Sequence, residues 1–179
     1  MDRREFLAAM AAMPALNALQ VRPIPHYRIV TKYKPEPGSG LPGRYPGRVV
    51  TVHSPRCIDE VTEKVDVPTV KEMIAQGMTT LTGDKDTRDS WARFFNADDF
   101  VGIKVNASGA PGAMSMPEVV AEITRNLMVV GVKPTKIVIH ERGSGQILLP
   151  RYDQFVPAGV RVESASTWLG YDPDVYAEV

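Results

Sequence analysis

The sequence predicts an α/β fold: a mostly parallel sheet with helices on its faces, preceded by an arm rich in proline and glycine. Apolar runs rich in β-branched residues recur after residue 48, and segments of helical periodicity separate them. The runs are continuously apolar, as strands of a parallel sheet are when both faces are buried. Proline and glycine are concentrated in residues 22–48, which favours an extended segment there.

Four strands and four helices are predicted within an α/β domain at residues 49–179. The strands are expected at about 49–53, 99–105, 136–141 and 159–164. The helices are expected at about 67–81, 86–96, 116–130 and 146–156. Because strands and helices alternate, right-handed crossovers should bring the strands into one mostly parallel sheet.

Capping residues and apolar periodicity support the first elements. The run RVVTVH at 48–53 is rich in β-branched residues and predicts the first strand. Asp66 is placed to cap the next helix, on which Val70, Ile74 and Met78 share one face. The second helix carries three aromatic candidates for the core, which are Trp91, Phe94 and Phe95.

The third helix has a predicted start and a predicted end. Ser115 and Glu118 match the S-x-x-E pattern of a capping box before residues 116–130. Gly131 is expected to end the helix in a left-handed turn. The runs DFVGIKV, KIVIHE and GVRVES supply the second, third and fourth strands.

Composition excludes several classes of function. The 179 residues can bury a core, and 44% of them are hydrophobic. Lys and Arg together number 21, as do Asp and Glu, and no basic tract stands out, so a nucleic-acid partner is not expected. Cys57 is the single cysteine. One cysteine is too few for an internal disulfide or for an iron–sulfur cluster held within this chain. The sequence does not identify any other cofactor.

The first 20 residues predict a twin-arginine export signal. Residues 2–7 read DRREFL, and a stretch rich in alanine and methionine follows through Leu19. Pro14 and Asn17 interrupt this stretch, which is too short for a stable membrane span. The signal predicts the export machinery as a partner and a periplasmic or extracellular location. An ordinary amphipathic N-terminal helix is the alternative, and residues 21–48 are the linker or arm.

A set of motifs in fixed order resembles a known family. The motifs are VGIKVN at 101–106, S-x-PEVV at 115–120, GV at 131–132, I-x-IHER at 137–142 and GYD at 170–172. Together they resemble the family called domain of unknown function 362, in its exported branch, over roughly residues 85–175. The resemblance implies an α/β fold and, for some relatives, association with iron–sulfur proteins. Those relatives hold clusters in cysteine-rich segments that this sequence lacks, and a shortened copy is expected.

Polar residues gather where the second and third strands end. Ligands of open parallel sheets bind beyond the carboxyl ends of the strands, so we take these residues as candidates for an anionic small molecule. The candidates are Lys104, Asn106, Ser108, His140, Glu141 and Arg142. Glu141 is expected on the opposite face or as the partner of Lys104 or Arg142. Structural roles are the alternative, because Asn106 can hold its own turn and Lys104 can extend to solvent.

Two other interpretations stay open. His53, His140 and Glu141 have the ligand types of a zinc or iron site. The second interpretation is a non-catalytic accessory or interaction domain of an exported redox system. Its bare sheet edge would favour a homo-oligomer or a partner protein. No motif names a reaction: HERGS at 140–144 begins like H-E-x-x-H but has Ser144 in place of the second histidine.

Overall fold

The computed structural model describes residues 26–34, 40, 42–165 and 172–178. The predicted signal at 1–20 lies outside the described residues, as do part of the arm and the first two residues of the GYD motif. The described chain belongs to two compact units, with residues through Lys32 and from Pro173 in one and Tyr33–Asp172 in the other. In the described chain, no helix is long and apolar enough to cross a membrane.

The smaller unit contains a two-stranded antiparallel sheet. Strand β1 (Arg28–Val30) pairs with β5 (Tyr176–Glu178). The Arg28 guanidinium donates to the Glu178 carboxylate at 3.2 Å from Nε, which joins the two strands through their side chains as well. Part of the predicted arm is therefore a strand.

The larger unit is a mixed α/β structure with a three-stranded parallel sheet. Its helices are α1 (Val67–Thr82), α2 (Thr87–Ala92), α3 (Pro117–Val129) and α4 (Ser144–Leu148). Its strands are β2 (Val101–Lys104), β3 (Ile137–Glu141) and β4 (Arg161–Ser164), in the order β2-β3-β4. Short 3₁₀ turns lie at Pro134–Lys136 and Tyr152–Gln154. The predicted parallel pairing of these three strands is confirmed.

The prediction of a strand at 49–53 was wrong. This segment forms no strand and lies beside α1 instead. The Arg48 guanidinium donates to the carbonyl of Leu81 at 2.8 Å, and a Cβ on Gly77 would meet Val52 at 3.5 Å. Val52 of this segment therefore packs on a helix, whereas Val49 is exposed, because an apolar run alone does not determine which surface it will cover.

One face of the parallel sheet carries the core. Ile137 and Ile139 are fully buried, and Val101 and Val105 are buried beside them. Leu127 and Val120 of α3 pack in the same two clusters. On the other face Gly102 and Lys104 are exposed. Within the described chain, the second face of the sheet is thus partly exposed, whereas Val105 and Glu141 at the carboxyl ends of β2 and β3 are buried.

Local hydrogen bonds explain where the first two helices begin. The Asp66 carboxylate accepts from the Thr69 N–H at 2.9 Å, as predicted for an N-cap. Asp86 caps α2 in the same way, accepting from the Arg88 N–H at 2.7 Å. The second helix is shorter than predicted and ends at Ala92, and the Asn96 N–H and side chain bind the Asp99 carboxylate in a turn that follows it.

The predicted capping box at Ser115 and Glu118 was wrong. Met116 is the N-cap of α3, and no side chain caps it. The Ser115 hydroxyl accepts instead from the Asn106 N–H at 3.0 Å, and the Ser115 N–H donates to the Asn106 carbonyl at 2.7 Å. Glu118 Oε2 is buried and has no hydrogen-bond partner among the described residues.

Gly131 ends α3 as predicted. Its φ is +102°, and its N–H donates to the Met128 carbonyl at 3.0 Å while the Val132 N–H donates to the Leu127 carbonyl at 3.1 Å. These two bonds form a Schellman motif, which requires a left-handed residue. A Cβ at this position would also meet Ala97 Cβ at 3.1 Å.

We expect Gly131→Ala to lower the free energy of unfolding by about 1–2 kcal/mol, the cost of a left-handed non-glycine residue. The measurement is urea unfolding followed by circular dichroism. Gly145→Ala is the matched control, because a Cβ there meets nothing within 4 Å and the residue has no positive φ. Equal stabilities for the two variants would contradict this account of the helix end.

Candidate functional site

The carboxylate of Glu141 lies at the carboxyl end of β3 and is almost fully buried. Its Oε1 accepts from the Arg142 backbone N–H at 2.6 Å. Its Oε2 accepts from the Lys104 ammonium at 3.0 Å and from the Ala107 backbone N–H at 3.3 Å. Of the three arrangements expected for Glu141, the structure has the pairing with Lys104.

These donors keep Glu141 ionised. The Arg142 N–H, followed by the Lys104 ammonium, lowers the pKa of Glu141 from 4.5 to about 2, although burial opposes the change. A carboxylate that accepts several charge-assisted or backbone hydrogen bonds is stable in the interior. Glu141 is thus an internal anion at neutral pH, at the end of the sheet.

The Lys104 ammonium binds the buried carboxylate of Glu141 and is itself in contact with solvent. It donates to the Val105 carbonyl as well as to Glu141. Its side chain is nevertheless 55% exposed. An ammonium has three N–H donors, so one of them remains for solvent or a ligand.

A loop at residues 105–115 covers this carboxylate. The Val105 N–H donates to the His140 carbonyl at 3.0 Å and continues the β2–β3 ladder. The Asn106 Oδ1 accepts from the Ser108 N–H at 3.2 Å, so Asn106 holds its own turn, the structural alternative considered for it. The Ser108 hydroxyl accepts from Gln146 of α4 at 3.2 Å.

Tyr152 is a member of this site that the sequence did not predict. Its side chain is fully buried, and its hydroxyl donates to the Ser115 carbonyl at 2.6 Å. Burial and the negative charge of Glu141 raise the pKa of Tyr152. The pattern around Tyr152 contains no local signal for this contact, because its partners lie far away in the chain.

His140 and Arg142 flank Glu141 and leave their side chains available. His140 is half-buried, and its ring lies over Gly102, where a Cβ would stand at an ordinary contact distance of 3.7 Å from Nε2. Arg142 is exposed. Neither side chain makes a hydrogen bond within the described chain. We call residues 104–108 and 140–142 the rim.

The predicted metal set is not assembled. Among the described residues, no three His, Cys, Asp or Glu side chains are placed to hold a metal ion. His53 lies exposed in the segment beside α1, whereas Glu141 is buried under the loop that follows β2. His53, His140 and Glu141 therefore do not form a common site.

Comparisons with protein-family models, with curated proteins and with solved structures found no match to this chain. The resemblance to the domain of unknown function 362 family stays a prediction.

Glu141 should make stability depend on pH in the acid range. Its pKa is depressed on folding, so its contribution is present above about pH 4.5 and is lost as the pH falls toward about 2. One pKa unit corresponds to about 1.4 kcal/mol, so the loss is on the order of 3 kcal/mol. Chemical unfolding at several pH values measures it.

Glu141→Gln should be less stable at neutral pH and should lose most of that acid dependence. Asp153→Asn is the control, because Asp153 and Arg151 form an exposed pair at 3.1 Å whose contribution is small. An unchanged acid profile in Glu141→Gln would show that the carboxylate is not held as described.

Proposed function

We propose that this chain is an α/β domain that binds a small anionic molecule, a carboxylate or a phosphate, at the rim. The proposal rests on one observation: side chains that can still donate hydrogen bonds lie beside Glu141, whose own carboxylate already has its hydrogen-bond donors. Lys104 keeps an N–H toward solvent, and the side chains of His140 and Arg142 make no hydrogen bond within the described chain. Lys104 and Arg142 thus place two cationic side chains beside one internal carboxylate, while Glu163, next to His140 in the sheet, is paired with Arg161.

Glu141 determines which groups remain for the ligand. It uses the backbone N–H groups of Ala107 and Arg142, so these donors do not face an external anion. The ligand would therefore meet side chains, namely those of Lys104, His140 and Arg142. The Asn106 amide and the Ser108 hydroxyl stand next to them as neutral groups.

Arg142→Ala and His140→Ala test this site without disturbing Glu141. A charge-assisted hydrogen bond contributes roughly 1.5–3 kcal/mol, so Arg142→Ala should weaken phosphate binding about tenfold or more, with His140→Ala weaker in effect. Titration calorimetry with inorganic phosphate measures the affinity. Lys104→Ala is less suitable, because it also removes a partner of a buried carboxylate.

Arg88→Ala is the control, because Arg88 is an exposed arginine on α2. The melting temperature should be unchanged in all three variants. Equal phosphate affinity in Arg142→Ala and Arg88→Ala would contradict the proposal.

We further propose that the chain is exported by the twin-arginine route as a member of the exported branch of the family it resembles. Changing Arg3 and Arg4 together to lysine should retain a reporter fusion in the cytoplasm, because the route reads the arginine pair. Cell fractionation measures the distribution of the reporter. Unchanged export would contradict this part of the proposal.

The second candidate is an accessory or interaction domain, and one observation favours it. Parallel sheets are normally covered on both faces, whereas in the described chain Gly102, Lys104 and Arg161 on the second face are exposed. Phe100 is 62% exposed at the start of β2, with the Arg161 guanidinium 5.4 Å from the centre of its ring. The phosphate titration separates the candidates, since an interaction domain has no need to bind phosphate at the rim.

A further inference from the structure

His140 lies in a row of charged side chains on the second face of the sheet. Its Cα pairs with that of Lys104 on β2 and with that of Glu163 on β4. Paired residues of neighbouring parallel strands point to the same face, and such strands are about 5 Å apart. The imidazole therefore has a basic side chain on one side and an acidic side chain on the other.

The His140 imidazole has no hydrogen-bond partner among the described residues. It is half-buried, and its ring lies over Gly102, whose added Cβ would stand 3.7 Å from Nε2. In the described chain, no carbonyl or carboxylate fixes one ring nitrogen as a donor. A histidine in such a setting can change its charge when its surroundings change.

The other charged groups near the ring are already engaged. Glu163 forms an ion pair with Arg161 at 3.3 Å, and both side chains are almost half exposed. Glu141 is buried and accepts from Lys104 and from two backbone N–H groups. Helix α4, which contacts β3 and β4, has the sequence SGQIL and carries no charged side chain. Lys104 and Glu163 are thus the charged side chains that face the ring from its neighbouring strands.

The two flanking charges act on the ring in opposite directions. The ammonium of Lys104 disfavours a charged imidazole, whereas the carboxylate of Glu163 favours it. An anion bound at the rim adds negative charge beside Lys104 and so favours the protonated ring. Anion binding and protonation are then coupled, and each promotes the other by the same factor.

We infer that His140 takes up a proton when the rim binds its anion, so that the affinity for anions rises as the pH falls from about 8 to about 5.5. This regulation rests on the anion site proposed above. Histidine is the ordinary side chain whose charge changes in this range, whereas lysine, arginine and carboxylate side chains keep theirs. Protonated His140 adds a third cation to Lys104 and Arg142, and it offsets the negative charge of Glu163.

Sulfate is the probe, because its charge stays constant over this range whereas that of a phosphate group changes. Titration calorimetry of the full-length protein, at constant ionic strength, measures the sulfate affinity at about pH 8 and at about pH 5.5. A hydrogen bond with a charged partner is about twice as strong as a neutral one, so sulfate should bind about fivefold to tenfold more tightly at the lower pH. Equal affinities at the two pH values would overturn the inference and leave the rim proposal standing.

Two histidine-to-glutamine variants locate the effect. His140→Gln keeps a hydrogen-bond donor at this position but cannot take up a proton, so its sulfate affinity should be the same at both pH values. His53→Gln is the matched control, because His53 is an exposed histidine outside the rim, and it should retain the full pH dependence. A pH dependence that persists in His140→Gln would assign it to another group and overturn the inference.

Proton uptake gives a second measurement that needs no variant. Sulfate titrations at about pH 6.5 in two buffers with different heats of ionisation give the number of protons bound together with sulfate. A fraction of one proton should be taken up for each sulfate, and an uptake of none would contradict the coupling. If sulfate does not bind at either pH, the inference fails, and the phosphate titration described above decides separately whether the rim binds an anion.

Discussion

A buried carboxylate at the end of a parallel strand needs donors from its surroundings, and Glu141 obtains them from three segments. Its own successor Arg142 supplies one N–H, the loop after β2 supplies another at Ala107, and Lys104 reaches over from the neighbouring strand. Removing one partner of a buried charge is far more costly than losing an exposed pair. The end of β2, the loop and the turn after β3 are therefore held together by one charge.

The rest of the site follows from this constraint. Because the loop must present the Ala107 N–H to the carboxylate, it turns directly after Val105, and Asn106 and Ser115 pair across its base. The Tyr152 hydroxyl then closes the buried side by donating to the Ser115 carbonyl. The backbone N–H groups of Ala107 and Arg142 thus bind the buried carboxylate. The side chains of His140 and Arg142 remain on the outer side of the rim. Groups that bind Glu141 and side chains that remain free for a ligand thus lie within a few residues of each other.

Much of the fold could be predicted because its signals are local. Asp66 caps α1 through a carboxylate three residues from its donor, and Gly131 provides the left-handed turn that ends α3. The features that were missed depend on distant partners. Val52 packs on a helix where a strand was predicted, and the Ser115 hydroxyl serves Asn106 instead of capping α3. Side-chain alternation alone could not decide among the arrangements expected for Glu141, and it could not show that Tyr152 would lie beside it.

The central claim is that Glu141 is an ionised internal anion that organises the rim, and a direct test is its own titration. Carbon-13 NMR of the Glu141 side-chain carboxyl, assigned by comparison with Glu141→Gln, follows protonation of that group alone. The titration midpoint of Glu141 should lie at about 2. A midpoint at or above 4.5, the value of an unperturbed glutamate, would contradict it.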